Sequence, residues 1–202
     1  MIVKICGITN REDALAAIDA GASALGFNFY PRSPRYLDPA AAAGWIAGLP
    51  RPVWKVGVFV NCPPGMVRRT LGDAGLDVAQ LHGDEPPSAI PADLRVWKAF
   101  RVGPNFDPGL AGLYPVEAIL LDAPAGPLYG GSGTTFPWLK ALGVAGKIIL
   151  AGGLDAANVA AAIREARPWG VDACSRLESS PGRKDHRKMS QFIRAAQAAI
   201  AS

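Results

Sequence analysis

The sequence predicts an α/β fold, a single (β/α)₈ TIM barrel spanning residues 1–202. Eight short apolar stretches recur along the chain, and several are apolar throughout, as in parallel strands that are buried on both faces. Helical patterns separate most of them, and this alternation is typical of parallel α/β folds. Half of the residues are hydrophobic, which is enough for one sizeable core. A doubly wound open sheet is the alternative, and it would also place its functional groups at the strand C-termini.

The predicted strands are bounded by changes in hydrophobicity and by Gly, Pro or capping residues. They cover residues 2–6, 24–29, 53–60, 77–81, 96–100, 118–122, 147–151 and 171–174. The predicted helices cover residues 11–20, 40–47, 65–74, 136–142, 156–165 and 185–200. Residues 101–114 are rich in Pro and Gly, so the fifth helix is expected to be short or irregular. The glycine-rich residues 130–134 predict a loop after the sixth strand.

The charge balance favours a small anionic partner. The formal net charge is +4 and the pI is about 9.1, but the closest basic clusters are only Arg68-Arg69 and residues 183–188. A nucleic-acid-binding surface would need a denser basic patch, so no nucleic-acid partner is expected. The five tryptophans are dispersed, and we expect them to pack between barrel and helices. A modest positive excess suits a phosphorylated small molecule.

The cysteine count and hydropathy predict a cytoplasmic enzyme. Three cysteines provide no disulfide framework, and with two histidines they show no zinc-ligand spacing, so no metal and no cofactor are expected. The first residues lack the features of a signal peptide. No stretch reaches about 18 consecutive apolar residues, so no membrane partner is expected. Both a monomer and a homodimer would satisfy this pattern.

Two candidate catalytic residues lie where a barrel places its chemistry, at the C-terminal ends of strands. Cys6 ends the first predicted strand and Asp122 ends the sixth, so the two would face each other across the barrel mouth. A thiol and a carboxyl on one substrate can act as a base and acid pair. Each also has a structural interpretation: free cysteines are often buried core residues, and an aspartate here could cap a helix.

A phosphate site is predicted after the seventh and eighth strands. Loops at these positions in barrels often bind phosphate through backbone N–H groups. Gly152 and Gly153 follow the seventh strand, and glycines allow the backbone to approach an anion closely. Ser175 and Arg176 follow the eighth strand and could add a hydroxyl and further donors.

Two further polar residues are predicted to line the same end of the barrel. Arg35 lies in a Pro-rich loop after the second strand and could hold a substrate carboxylate by two parallel hydrogen bonds. It could equally be a solvated surface arginine. His82 follows the fourth strand, and we favour a packed or hydrogen-bonded role for it beside the substrate.

Six motifs, taken in order along the chain, resemble those of the phosphoribosylanthranilate isomerase family. Together they are specific, whereas any one alone would not be. They are residues 4–9 (KICGIT), 29–36 (FYPRSPRY), 80–83 (QLHG), 121–122 (LD) followed by 129–133 (YGGSG), 150–154 (LAGGL) and 178–182 (ESSPG).

The resemblance implies an Amadori rearrangement in tryptophan biosynthesis. N-(5′-phosphoribosyl)anthranilate would become 1-(2-carboxyphenylamino)-1-deoxyribulose 5-phosphate, with Cys6 as general base and Asp122 as general acid. Arg35 would face the anthranilate carboxylate, and the phosphate would rest on the glycines and the residues after strand eight. Lys4 lies two residues before Cys6 on the same strand face, so it could help to lower the pKa of the thiol.

One departure from the family pattern falls in the phosphate site. The family usually has Ser-Ser-Gly-Val-Glu after the eighth strand, whereas this chain has residues 174–178 as CSRLE. Arg176 therefore replaces a glycine, and we expect phosphate contacts to survive with changed donors. Competing interpretations are an indole-glycerol-phosphate synthase-like or pentose-phosphate epimerase-like barrel, a binding-only barrel, and an isomerase for a ribosyl-aminoimidazole. The required Lys–Glu or paired Asp residues of the first two are not evident, and Arg35 favours anthranilate.

Overall fold

A closed barrel of eight parallel strands forms the centre of the protein. The computed structural model describes residues 1–124 and 135–200, so the predicted loop at 130–134 lies outside the described residues. The strands hydrogen-bond in sequence order and β8 closes onto β1, which confirms the barrel and excludes the open sheet. Their bounds are β1 Ile2–Ile5, β2 Ala24–Asn28, β3 Trp54–Phe59, β4 Val78–Leu81, β5 Val96–Arg101, β6 Ala118–Asp122, β7 Ile148–Leu150 and β8 Gly170–Ala173.

Helices surround the barrel, and the first two begin at capping residues that the sequence provides. Asn10 accepts a hydrogen bond from the Asp13 N–H at 2.8 Å, and Asp38 accepts one from the Ala41 N–H at 3.0 Å. Such caps satisfy N–H groups that have no partner inside the helix. The bounds are α1 Arg11–Asp19, α2 Pro39–Ala47, α3 Pro64–Ala74, α4 Pro108–Ala111, α5 Val159–Ala166 and α6 His186–Ile200.

Three segments around the barrel bear on the local predictions. The fifth helix is short, as expected, because α4 is a single turn. The predicted α-helix at 136–142 is wrong in type: a 3₁₀ helix occupies Trp138–Gly143, a short segment bounded by Pro137 and a glycine. A hairpin of β9 (Glu178–Ser180) and β10 (Arg183–Lys184) follows β8, and the sequence did not indicate it.

The barrel interior is apolar at its N-terminal end. Trp54, Trp97 and Trp169 pack against one another there, with ring centroids 5.9 to 6.4 Å apart. The expectation that the tryptophans pack between barrel and helices is therefore wrong for these three. Their large rings fill the wide interior that eight strands enclose, whereas a smaller side chain would leave a void. The polar interior positions lie at the opposite, C-terminal end.

Candidate active site

A cavity of about 250 Å³ opens at the C-terminal end of the barrel. The residues that the sequence predicted as a site all line it, although they are spread over most of the chain. They are Cys6, Arg35, His82, Asp122, Gly152, Gly153, Ser175 and Arg176. Successive side chains of a strand point to opposite faces, so residues two apart share the interior. This alternation places Asp172 and Cys174 in the cavity lining as well.

A buried ion pair lies directly beneath the cavity. Lys4 of β1 is paired in register with Asp172 of β8, and its Nζ is 3.0 Å from Asp172 Oδ1. The lysine side chain is 0% exposed. Burial disfavours the ammonium ion, but the charges of Asp172 and Cys6 outweigh this effect and raise the pKa of Lys4. Burial raises the pKa of Asp172 to about 7.

Two thiols meet where β1 and β8 end. The Cys6 N–H donates to the Ala173 carbonyl at 2.9 Å, and the Cys6 and Cys174 side chains are hydrogen-bonded to each other. That hydrogen bond lowers the pKa of Cys174 to about 7 and, together with burial, raises the pKa of Cys6. The two sulfurs therefore titrate as a pair that holds one shared proton once the first is lost.

The Arg35 guanidinium lies at the rim of the cavity in a fixed orientation. Its Nε and Nη2 donate to the two carboxylate oxygens of Glu178 at 2.8 and 2.7 Å. Lys184 Nζ lies 3.1 Å from the same carboxylate, so the three side chains carry a net positive charge. Burial works against ionisation of Glu178, but the hydrogen bond from Arg35 and the charge of Lys184 hold its pKa below the ordinary value.

Glycine at position 7 allows this packing. Gly7 has a φ of +71°, and a Cβ there would lie 2.6 Å from Arg35 Cδ and 2.8 Å from Cys174 Sγ. Contacts that short would displace both side chains. The lack of a side chain at Gly7 therefore lets Arg35 and Cys174 approach the end of the first strand closely.

Asp122 is held between the backbone and His82. One carboxylate oxygen accepts a hydrogen bond from the Ala123 N–H at 2.9 Å. The other lies 3.4 Å from His82 Nε2, a contact longer than an ordinary hydrogen bond. Gln80 Nε2 lies 3.1 Å from His82 Nδ1 and orients the ring. Asp122 lines the cavity but is only 8% exposed, so its carboxyl group is mostly buried.

The glycines after β7 adopt conformations that other residues rarely adopt. Gly152 has a φ of +78° and Gly153 a φ of +57°. Asn158 supports this turn, because its Nδ2 donates to the Gly153 carbonyl at 2.9 Å. The two glycines line the cavity together with Ser175 and Arg176, the first two residues of the 3₁₀ helix Ser175–Leu177.

Residues 1–124 and 135–200 contain neither a candidate metal site nor a membrane-spanning helix. No group of three or more His, Cys, Asp or Glu side chains in that part of the chain could hold a metal ion. Within the same residues, none of the helices has the length and apolar character needed to cross a bilayer.

Comparison with known proteins identifies the family. The sequence profile for N-(5′-phosphoribosyl)anthranilate (PRA) isomerase matches residues 3–195. The chain belongs to the PRA isomerase family. An N-(5′-phosphoribosyl)anthranilate isomerase of Solibacter usitatus is 56% identical over 200 residues, covering 99% of each chain. The solved Thermotoga maritima isomerase has a TM-score of 0.89 at 41% identity, covering 98% of this chain and 100% of that one. A solved isomerase in complex with reduced 1-(o-carboxyphenylamino)-1-deoxyribulose 5-phosphate has a TM-score of 0.85 at 37% identity, with 98% and 100% coverage.

The arginine that departs from the PRA isomerase pattern is directed to a neighbouring loop. Arg176 Nη1 lies 2.6 Å from Asp155 Oδ2, which follows the Gly152-Gly153 turn. The ion pair ties the loop after β8 to the loop after β7. Its side chain therefore links the two loops of the predicted phosphate site, and Ser175 and Arg176 remain part of the cavity lining.

Two charged partners in this member of the PRA isomerase family were missed by sequence reasoning. Asp172 pairs with Lys4, and Glu178 orients Arg35. A signal for the first pair did exist: in a closed barrel β8 lies beside β1, and each strand carries one charged residue in an otherwise apolar run. Opposite charges at such positions are expected to pair. The second pair depends on the hairpin after β8, for which the sequence offers no periodic pattern.

Gly152→Ala is expected to lower the free energy of unfolding by at least about 1–2 kcal/mol, the typical cost of a left-handed conformation in a residue with a side chain. The added Cβ would also lie 2.5 Å from the Ala123 backbone nitrogen. Urea unfolding measures the change. Gly72→Ala in α3 is the matched control, since that exposed glycine has nothing within 4 Å of the added carbon. The control is expected to gain about 0.5–1 kcal/mol, and equal effects of the two variants would contradict the steric argument.

Proposed function

We propose that this chain converts N-(5′-phosphoribosyl)anthranilate to 1-(2-carboxyphenylamino)-1-deoxyribulose 5-phosphate, a step of tryptophan biosynthesis, without a cofactor. The observation that carries the proposal is the entry of a thiol and a carboxyl into one cavity from nearly opposite walls, Cys6 after β1 and Asp122 at the end of β6. Membership of the PRA isomerase family supports the same reaction.

In this proposal Asp122 is the general acid. Its proton goes to the ribose ring oxygen, the C1′–O bond breaks, and the anilinic nitrogen forms a Schiff base with C1′. The Ala123 N–H fixes one carboxyl oxygen, so the other can carry the transferred proton. His82, on the cavity side of the carboxyl, restricts the rotation of Asp122 and lines the space next to the substrate.

Cys6 is the general base in the second step. Its thiolate removes the C2′ proton, and the electron pair moves into the C1′–C2′ bond while the Schiff base nitrogen is neutralised. The resulting enolamine then tautomerises to the ketone. The hydrogen bond with Cys174 and burial raise the pKa of Cys6, and the Lys4 ammonium beneath the sulfur opposes this rise and so favours the thiolate.

The two anionic ends of the substrate find different partners. Glu178 uses two of the five N–H groups of the Arg35 guanidinium, which leaves further donors for the anthranilate carboxylate. At the other end, Gly152, Gly153, Ser175 and Arg176 offer backbone N–H groups to the phosphate. The net positive charge of the Arg35, Glu178 and Lys184 group favours an anion at the Arg35 end of the cavity.

The test is the loss of anthranilate fluorescence when purified protein is mixed with freshly prepared N-(5′-phosphoribosyl)anthranilate. We expect a first-order decay whose rate is proportional to protein concentration and exceeds the rate without protein. A decay that does not depend on protein concentration would overturn the proposal. The same assay with the ribosyl-aminoimidazole substrate of the related Amadori reaction then tests specificity, and the absence of a carboxylate for Arg35 predicts a much lower rate there.

A further inference from the structure

A second cysteine lines the cavity and has no part in the reaction proposed above. We propose that Cys6 and Cys174 are a redox modification site: a hydroperoxide joins them in a reversible disulfide, which switches the enzyme off. The loss of activity rests on the proposed role of Cys6. Formation of the bond does not, because it depends only on where the two sulfurs lie.

The backbone places the two cysteines at a distance that a disulfide can span. Ile5 and Ala173 are the last paired residues of β1 and β8, and Cys6 and Cys174 each come next. The Cys6 N–H still donates to the Ala173 carbonyl, so the strands have not diverged at this point. Neighbouring strands lie about 4.8 Å apart, within the Cα separation of about 4.4–6.8 Å that disulfides require.

The side chains point in the same direction. Cys6 and Cys174 both line the cavity, as their positions two residues beyond Lys4 and Asp172 require. The two thiols are hydrogen-bonded to each other. The glycine at position 7 leaves room above Cys174 Sγ, where a Cβ would come within 2.8 Å of the sulfur. Closing the bond therefore requires rotation of the side chains and little backbone movement.

The hydrogen bond from Cys6 and the cations nearby make Cys174 the more readily oxidised of the two thiols. Lys184 Nζ lies 3.9 Å from its sulfur and 3.2 Å from its carbonyl oxygen. Arg35 also favours the charged form, whereas Glu178, with Oε1 3.9 Å from the sulfur, disfavours it. The hydrogen bond from Cys6 is the largest influence, and the pKa of Cys174 falls to about 7. A thiolate is the form that reacts with peroxide.

The chemistry balances with a hydroperoxide as the oxidant. The Cys174 thiolate attacks one peroxide oxygen and the O–O bond breaks, which gives a sulfenic acid on Cys174 and releases hydroxide (an alcohol from an alkyl hydroperoxide) after proton transfer. The Cys6 sulfur then attacks the sulfenic sulfur, the S–O bond breaks and water leaves. In total two thiols lose two electrons and two protons, and the peroxide is reduced. A dithiol reverses the step by thiol–disulfide exchange.

The disulfide removes the sulfur lone pair that the proposed reaction uses as a base. It also draws Cys6 towards β8 and away from the substrate side of the cavity. Cys62, the third cysteine, lies on the segment before α3 and packs against the outer hydrophobic core. It provides a cysteine control within the same chain.

The bond is tested directly by peptide mapping without reduction. Purified protein is treated with a small excess of hydrogen peroxide, the remaining thiols are alkylated, and the protein is digested with trypsin. Cys6, Cys62 and Cys174 fall in separate peptides, residues 5–11, 56–68 and 165–176. We expect a linked species of peptides 5–11 and 165–176 that dithiothreitol separates, with Cys62 alkylated. Sulfinic acid on Cys6 or Cys174 without a linked species would overturn the proposal.

Activity and variants provide the second measurement. We expect wild-type activity to fall in parallel with the linked species and to return with dithiothreitol, and Cys62→Ser to behave in the same way. In Cys174→Ser we expect no linked species and a slower loss of activity in peroxide than in wild type, because the thiol that reacts first is absent and the pKa of Cys6 is raised. A linked protein that keeps full activity would overturn the switch. A linked species in protein that lacks isomerase activity from the outset would count against the proposed reaction and leave the disulfide established.

Discussion

Asp122→Asn is expected to lower kcat by about 10²- to 10⁴-fold, the range over which a positioned general acid contributes. Asparagine keeps the shape of the side chain and can still accept the hydrogen bond from the Ala123 N–H, but it cannot transfer the proton. Cys6→Ser is expected to lower kcat by a comparable factor, because a serine hydroxyl is a far weaker base than a thiolate. Anthranilate fluorescence gives the rate, and circular dichroism checks the fold.

Matched substitutions elsewhere separate a chemical effect from a general one. Asp93 is an exposed aspartate paired with Arg68 on the surface, and Cys62 is a thiol outside the proposed chemistry. We expect Asp93→Asn and Cys62→Ser to keep kcat close to wild type. If Asp122→Asn or Cys6→Ser reduced kcat no more than its control, the acid–base assignment would be wrong. In the double variant the losses are expected to be less than additive, because the two groups serve one reaction.

Lys4→Met is expected to lower the free energy of unfolding by about 3–5 kcal/mol near pH 8, the usual cost of removing one partner from a buried ion pair. Lys4 is fully buried and Asp172 is only 6% exposed, so solvation of the carboxylate from the cavity replaces the lost ammonium only in part. For a domain of this size the change corresponds to a fall in Tm of about 10 °C. Urea unfolding and thermal melts measure it.

The size of this effect should depend on pH. Burial already raises the pKa of Asp172 to about 7 in the presence of Lys4. A carboxyl with a higher pKa in the folded than in the unfolded state makes the folded protein less stable as pH rises between the two values. Without Lys4 that window extends above pH 7. The difference between wild type and variant is therefore expected to be smallest in mild acid and to grow with pH, and a constant difference would contradict the mechanism.

Two further variants test whether burial is the cause. Lys147 pairs with Glu117 at 3.1 Å on the surface, with side-chain exposures of 47% and 25%. Lys147→Met is expected to change stability by less than about 1 kcal/mol. Adding Asp172→Asn to Lys4→Met removes the unpaired carboxylate and is expected to restore part of the lost stability. A double variant no more stable than Lys4→Met would indicate lost packing as the cause.

The sequence alone determined the fold and placed the predicted site residues at one end of the barrel. Continuous apolar runs separated by helical patterns predicted eight buried parallel strands. A strand covered on both faces is apolar along its whole length, whereas a strand with one solvated face alternates between apolar and polar residues. Barrels place their functional residues at the C-terminal ends of the strands and in the loops that follow, and this rule selected Cys6, Asp122 and Gly152. Both inferences depend on local periodicity and on chain order, which can be read directly from the sequence. The short helix after β5 was predictable for the same reason, since Pro and Gly act locally.

The tertiary structure alone decided which of those residues contact one another. Arg35 is oriented by Glu178, 143 positions away, and Cys6 is hydrogen-bonded to Cys174. The Arg176 side chain turns to Asp155. Each contact joins segments that come together only when β8 closes onto β1 or when a loop folds back over the barrel. The energies of these contacts depend on the distance between the groups and on their burial. Both quantities are set by the folded geometry and produce no periodic pattern in the sequence.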